Sequence, residues 1–354
     1  MNDVSMLAPL PAALAAPVVA TIEGDGMPLV SRGLFAGLVL VDGDIAPKDG
    51  RPFAYEDMHV VALRFDLCDR STVGTCPEAD GRLRLVLQPV YQVGGETLAH
   101  DIAVHAFYPI PQAELGAVIS ELRVLAGLGE VPLDARLGVS PALARGDVEY
   151  RDRLRALVMR YARWDRIVRF TVLGQDARSA AFAWILRGAD ITASATTAIA
   201  IPDLETATEQ HVLVAGGDTI YDVTPVADEP RGFATAINGA LFAAATPAEK
   251  LVALEAMSEL QNPTRHDAID TQCIGCHVST FLMARRAAAV GIDPAALEGH
   301  YGSRYDTSVD GISIDDARVL RGFGWASRFP AISQRVANDT AQVLVEIEQR
   351  FPLR

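Results

Sequence analysis

Long apolar runs are missing from this 354-residue sequence. A transmembrane helix needs about 20 consecutive apolar residues, and the nearest uncharged stretch, residues 4–22, is interrupted by prolines. We therefore expect no membrane-spanning helix. Half of the residues are nevertheless apolar, which is enough to build a sizeable core and excludes an intrinsically disordered chain.

Positive charge is also in short supply. The sequence holds 45 acidic and 31 basic residues, which gives a formal net charge of -14. Such a surface repels phosphate backbones, so we expect no nucleic-acid partner. No Lys or Arg precedes the apolar start of the chain, which is unlike a secretory signal. We interpret residues 1–20 as an extended tail that could follow a signal or lipoprotein sequence carrying a lipid anchor.

Cysteine is rare, and the four cysteines of the chain form two close pairs. Cys68 and Cys76 flank a loop of turn-forming residues, which can bring their Cα atoms within disulfide distance. We predict a disulfide between them. Because disulfides persist in oxidising compartments, this pair favours the periplasm, the cell envelope or the extracellular space.

The second pair has a more specific spacing. Cys273 and Cys276 are followed directly by His277, in the pattern C-x-x-C-H. Each thiol of such a motif can form a thioether with one haem vinyl group, and the histidine can ligate the iron. Residues 273–277 resemble the haem-attachment site of c-type cytochromes. The resemblance implies one covalent haem c, with thioethers at both cysteines and His277 as the proximal iron ligand.

Three other interpretations of this cysteine pair remain open. A redox-active C-x-x-C disulfide usually opens a helix after a strand, and no strand pattern precedes Cys273. A zinc ion could be held by the cysteines and His277 together with His266 or His300, although adjacent Cys276 and His277 suit one tetrahedral ion poorly. A plain structural disulfide is the third alternative.

A low-spin electron-transfer haem needs a second axial ligand, usually Met or His. No methionine follows Met283, which lies on the same predicted helix as His277. His300, in a glycine-containing loop, is therefore our first candidate, with His266 and Met257 as alternatives. An open sixth position would instead favour small-ligand or peroxide chemistry.

Arginines and one tryptophan near the motif could complete a haem pocket. Arg265 and Arg304 could pair with the haem propionates, because guanidinium groups bind carboxylates well. Trp325 could line the pocket. Elsewhere, His100 and His105 are five positions apart on a predicted strand, so they should point to opposite faces and not share a metal.

Hydrophobic periodicity predicts an α+β fold with antiparallel strands in an N-terminal domain, residues 21–245, and a mostly helical domain, residues 246–354. The resemblance of residues 273–277 to a haem-attachment site implies a cytochrome c-like character for the second domain. In the first domain we predict strands and hairpins over 58–68, 81–110, 166–174, 179–188 and 211–223, and helices over 112–126 and 150–164. In the second we predict a helix after a capping box of Thr246 and Glu249, and helices over 278–290 and 332–350.

Taken together, these patterns favour an extracytoplasmic c-type haem protein that transfers electrons to a redox partner protein. One alternative is a non-enzymatic, disulfide-stabilised surface lipoprotein that binds an envelope component or another protein. The other is a haem enzyme of peroxidase-like character with an open sixth site.

Overall fold

The computed structural model describes most of the chain. The described residues are 4–11, 29–30, 55–67, 81–100, 102–129, 137–175, 183–192, 195–201, 208–215, 219–221, 223, 230–266, 272–303 and 322–352. Cys68, Cys76 and Arg304 lie outside them, as does most of the predicted tail. The predicted disulfide between Cys68 and Cys76 therefore stays a prediction.

The structure confirms an α+β fold built on an antiparallel sheet. Within the described residues, ten strands form this sheet in the order β1-β2-β3-β5-β6-β7-β9-β10, with β4 paired to β3 and β8 paired to β7. The strands are β1 (Ser5–Leu7), β2 (Met58–Asp66), β3 (Gly81–Val93), β4 (Glu96–Ala99), β5 (Ala103–Ile110), β6 (Arg169–Gln175), β7 (Ala183–Ile191), β8 (Thr196–Ala198), β9 (Glu209–Ala215) and β10 (Thr219–Tyr221).

The hairpin predicted over 81–110 is present, with its second arm divided into β4 and β5. The turn between β3 and β4 is made by Gly94 and Gly95, whose φ angles are +60° and +86°. Two consecutive positive φ angles suit a two-residue hairpin turn, and glycine adopts them without steric cost. The two glycines therefore determine where β3 reverses.

Helices from the middle of the chain cover one face of the sheet, here called the first face. They are α1 (Gln112–Gly129), α2 (Pro141–Ala144) and α3 (Val148–Tyr161). Leu83, Leu85 and Leu87 alternate along β3 and pack with Val118 of α1 and Leu154 of α3 in one apolar cluster. Alternate strand residues share a face, so the residues between these leucines point to the opposite, second face.

The second face is covered by the C-terminal part of the chain. This part contains the helices α4 (Pro230–Ile237), α5 (Gly239–Ala244), α6 (Pro247–Leu260), α7 (Cys273–Val290) and α8 (Gln334–Arg350), and the hairpin of β11 (Phe323–Ala326) and β12 (Phe329–Ile332). Among the helices of the described residues, none is both long and apolar enough to cross a membrane.

Two apolar clusters join the sheet to these elements. In the helix-side cluster, Leu173 and Trp184 of the sheet pack with Leu254 of α6 and Val278 of α7. The hairpin-side cluster holds residues of the sheet, the β11–β12 hairpin and α8, among them Val86, Phe323 and Val336. Both clusters therefore cross residue 245, where the sequence predicted a domain boundary.

Some C-terminal elements differ from the predicted ones. The capping box of Thr246 and Glu249 is formed, and α6 follows it as expected. However, α7 begins at Cys273 rather than at residue 278, so the C-x-x-C-H motif forms its first turn. The β11–β12 hairpin lies in a region predicted to be helical, and α4 and α5 precede the predicted helical domain.

The β11–β12 hairpin is held by a buried amide on β3. The Gln88 Nε2 donates to the carbonyls of His100 and Trp325 at 2.9 and 3.0 Å, and its Oε1 accepts from the Trp325 N–H at 2.7 Å. A Cβ at Gly324 would lie 2.6 Å from this Oε1. The hairpin was missed because its pairing depends on this contact with a residue more than 200 positions away, which local periodicity does not record.

A charged strip of alternating arginines and aspartates ties α8 to the second face. Asp339 of α8 accepts from Arg335 Nε at 2.9 Å and lies 3.5 Å from Arg64 Nη1 on β2. Arg64 Nε also donates to Asp66 at 2.5 Å, and Arg84 Nη2 of β3 lies 3.6 Å from the other Asp66 oxygen. The Arg64 and Arg335 side chains are only 6% and 8% exposed, so these charges depend on their partners.

We expect Asp339→Ala to lower the free energy of unfolding by about 3 kcal/mol, because removing one partner of a buried ion pair leaves uncompensated charge. Asp165→Ala is the matched control, since Asp165 pairs with Arg163 on the surface and should barely affect stability. Urea unfolding followed by circular dichroism measures both. Equal losses in the two variants would contradict the assignment of the strip as a stabilising link.

Candidate functional site

The C-x-x-C-H motif is anchored to the sheet by Gln210 of β9. The fully enclosed Gln210 side chain accepts the Ile274 N–H at 3.1 Å and donates to the Gln272 side chain at 2.8 Å. Gln272 is the N-cap of α7 but makes no side-chain capping bond of its own. Gln210 therefore satisfies one of the N–H groups that a helix start leaves without a partner.

The two cysteines of the motif are thiols, and no disulfide joins them. Both are half-buried, and Cys273 packs against the helix-side cluster. Burial, followed by the neighbouring Cys276, raises the pKa of the Cys273 thiol to about 11. Residues three positions apart lie on one side of a helix, so both sulfurs are presented together in the first turn of α7.

His277 lies one turn after Cys273 and is partly buried. Its ring packs against Gly322, where a Cβ would lie 3.5 Å from the His277 Cε1 and 3.8 Å from the Nδ1. The Gly322 carbonyl accepts the N–H of Ser333, the N-cap of α8, at 2.8 Å. The imidazole is therefore located between α7 and the chain entering β11.

A second histidine lies on the sheet beneath this region. His105 of β5 pairs with Val86 on one side and Thr171 on the other. Val86 belongs to the hairpin-side cluster, and the same cluster contains Phe323, the residue after Gly322. Burial, then the positive charge of Arg84 and then the nearby His277 lower the pKa of His105 well below its usual value. His105 is therefore a neutral imidazole at pH 7.

The sequence placed His100 and His105 on one predicted strand, but in the structure only His105 is a strand residue. His100 precedes β5 and stacks on the Tyr91 ring, with ring centroids 4.2 Å apart. In the described part of the chain, no three His, Cys, Asp or Glu side chains are grouped so that they could hold a metal ion.

The remaining candidate residues from the sequence lie at several different places in the described structure. His300 is exposed, and its N–H donates to the Leu297 carbonyl at 3.2 Å. Arg265 is exposed and pairs with Glu259 at 2.7 Å. His266 is buried, and its carbonyl accepts a hydrogen bond from Arg335. Met257 is fully enclosed within the helix-side cluster, and Trp325 lies in β11 in the hairpin-side cluster.

Sequence reasoning missed Gln210, Gly322 and the approach of His105 to His277. The pattern of β9 offers one signal, because Gln210 follows Glu209 and precedes apolar strand residues, and a buried amide in a strand needs hydrogen-bond partners. The approach of the two histidines had no local signal. They are far apart in sequence, and only the fold places them near enough for His277 to lower the pKa of His105.

The raised Cys273 pKa predicts the alkylation profile of the folded, haem-free protein. Only the thiolate reacts, so the iodoacetamide rate at Cys273 should keep rising about tenfold per pH unit and level off near pH 11. In the urea-unfolded chain it should level off at about pH 8.5. Mass spectrometry of the peptide containing Cys273 measures both profiles. A folded-state plateau at the unfolded value would contradict the assigned burial.

Removing the neighbouring thiol gives the control for this measurement. In Cys276→Ser, the Cys273 plateau should move to lower pH, because one of the two influences that raise its pKa is gone. The part of the rise in the Cys273 pKa that is due to burial should remain. A profile unchanged from that of the parent protein would show that the two sulfurs are not neighbours.

Comparison with known proteins gives no relative for this arrangement: no protein-family model matches the chain, and neither a curated protein nor a solved structure matches it.

Proposed function

We propose that this protein carries one covalent haem c on Cys273 and Cys276, with His277 as an axial ligand, and transfers electrons. The observation that carries the proposal is the first turn of α7, where two unjoined thiols and an imidazole are held together in the C-x-x-C-H pattern. Bound there, the haem would supply one-electron oxidation and reduction at its iron.

The donor set suits this group. Two thiols three positions apart match the two vinyl groups of haem, and the adjacent imidazole matches the proximal ligand. Gln210 fixes the start of α7, so the cysteines and His277 are held on one rigid helix rather than on a loop.

We propose His105 as the second axial ligand. His105 lies on the second face of the sheet beside Val86, where burial, then Arg84 and then the nearby His277 lower its pKa and keep a nitrogen lone pair available at neutral pH. His300, the candidate from the sequence, is exposed and bonds locally through its backbone. One histidine on a strand and one on a helix would then hold the iron, which favours electron transfer over an open catalytic site.

The partner and the compartment follow from the same proposal. An electron carrier with 45 acidic and 31 basic residues favours a redox partner protein with a basic docking surface. Attachment of haem c, together with the predicted pairing of Cys68 and Cys76, favours the periplasm or the cell envelope. The surface-lipoprotein alternative would instead join Cys273 and Cys276 in a disulfide.

Covalent haem is the first expected outcome. Expressed with a c-type maturation system, the parent protein should keep haem through denaturation and give a pyridine haemochrome spectrum of the c type. Cys273→Ala/Cys276→Ala should lose it, because both thioether positions are gone. Cys68→Ala/Cys76→Ala is the matched control and should retain haem. A colourless parent protein would exclude the proposal and favour the lipoprotein alternative.

The spin state tests His105. We expect a low-spin spectrum in the parent protein and a high-spin spectrum in His105→Leu, because the variant cannot supply the sixth ligand. His300→Ala should keep the low-spin spectrum. A low-spin spectrum in His105→Leu together with a high-spin spectrum in His300→Ala would identify His300 as the second iron ligand. A high-spin parent protein that reacts rapidly with peroxide would instead favour the haem-enzyme alternative.

A further inference from the structure

Arg84 of β3 is a charged side chain that shares its nearest carboxylate, Asp66, with a second arginine. Its contact with a carboxylate is the 3.6 Å approach to Asp66, which is longer than a hydrogen bond. Asp66 is already held by Arg64 at 2.5 Å. The Arg84 Nε is buried, and no acceptor contacts it within the described residues. A guanidinium carries five N–H donors, so most of its donor capacity is unused.

Other arginines surround this guanidinium on the second face. The Arg84 and Arg82 guanidinium carbons lie 4.9 and 5.8 Å from the centre of the same Phe107 ring. Phe107 pairs with Arg169 of β6, which is held by Asp190 at 2.5 and 3.0 Å. Burial, then Arg169 and Arg84, lower the pKa of Arg82 to about 10, so Arg82 is protonated at pH 7.

This concentration of positive charge contrasts with the rest of the chain. The chain has a net charge of -14, yet here Arg82, Arg84 and Arg169 meet around one phenylalanine. The Arg84 and Arg169 side chains are 24% and 25% exposed, so a small group from solvent can reach them. Partly desolvated guanidinium groups bind carboxylates and phosphates strongly, often with two hydrogen bonds at once.

We propose that Arg84, flanked by Arg82 and Arg169, is the anchor of an oxyanion-binding site on the second face that takes a carboxylate or phosphate group. Two sources have this chemistry. One is a free oxyanion from solution. The other is a propionate of the haem proposed above, since Arg84 and His105 lie on the same face of the sheet. Only this second source rests on the proposed function.

The first arm uses the haem-free protein and inorganic phosphate. Calorimetry at low ionic strength should detect phosphate binding, and Arg84→Gln should weaken it at least tenfold. Arg84→Lys should retain part of the affinity, because it keeps the charge but loses the planar fork. Arg153→Gln, which removes an exposed arginine of α3, should leave binding unchanged. No binding to the parent protein, or equal binding to Arg84→Gln, would overturn the site.

Thermal unfolding separates this role from a purely structural one. Without phosphate, Arg84→Gln should melt at or above the temperature of the parent protein, because a poorly neutralised charge is removed. With phosphate, the parent protein should gain stability and Arg84→Gln should not. A variant that is less stable in both conditions and whose phosphate response equals that of the parent would show that Arg84 acts in packing alone.

The second arm compares haem-loaded with haem-free protein and identifies the source. Two results together would support the propionate. Haem loading would abolish phosphate binding, and Arg84→Gln would change the pH dependence of the reduction potential of the haem-loaded protein. Equal phosphate binding by both forms would support a free oxyanion. Failure to load haem would overturn the proposed function while leaving the phosphate result, and therefore the oxyanion site, intact.

Discussion

Asp339 is the carboxylate on which the relation between the sheet and the C-terminal helices depends. It faces Arg335 on its own helix and Arg64 on β2, and both arginines are buried. Buried charges without partners cost several kcal/mol, so α8 is stable only where this carboxylate meets both. Arg335 also donates to the carbonyl of Leu260, the last residue of α6, and to the carbonyl of His266, from which the chain continues toward Cys273. This ion network therefore helps to place the chain that leads to the motif, while Gln210 holds the start of α7 itself.

The charge distribution of the second face bears on both proposals. Asp66 and Asp339 neutralise Arg64 and Arg335, whereas Arg84 shares Asp66 at a longer distance. Burial first, and then the positive charge of Arg84, lower the pKa of His105. The same guanidinium is suited to hold an oxyanion. Arg84 would thus contribute to a neutral imidazole for ligation and compensate the negative charge of a carboxylate or phosphate beside it.

Local chemistry made part of this fold predictable. The capping box of Thr246 and Glu249 and the Gly94-Gly95 turn are signals within a few residues, and both elements form as expected. The start of α7 was placed five residues late because its N-terminus is satisfied by Gln210, 64 positions from Ile274. The β11–β12 hairpin depends in the same way on Gln88. Elements stabilised by distant side chains are the ones that sequence periodicity missed.

The same distinction applies to the candidate site. The spacing of Cys273, Cys276 and His277 is local, so the sequence could indicate a haem motif but could not indicate which residues face it. His300 was favoured because it is near in sequence, whereas His105 approaches through the packing of α7 on the sheet. If the haem proposal holds, the β-rich part is not a separate scaffold. It would supply His105 as a ligand and Arg84 as an anion partner, and the helical part alone would hold only one side of the site.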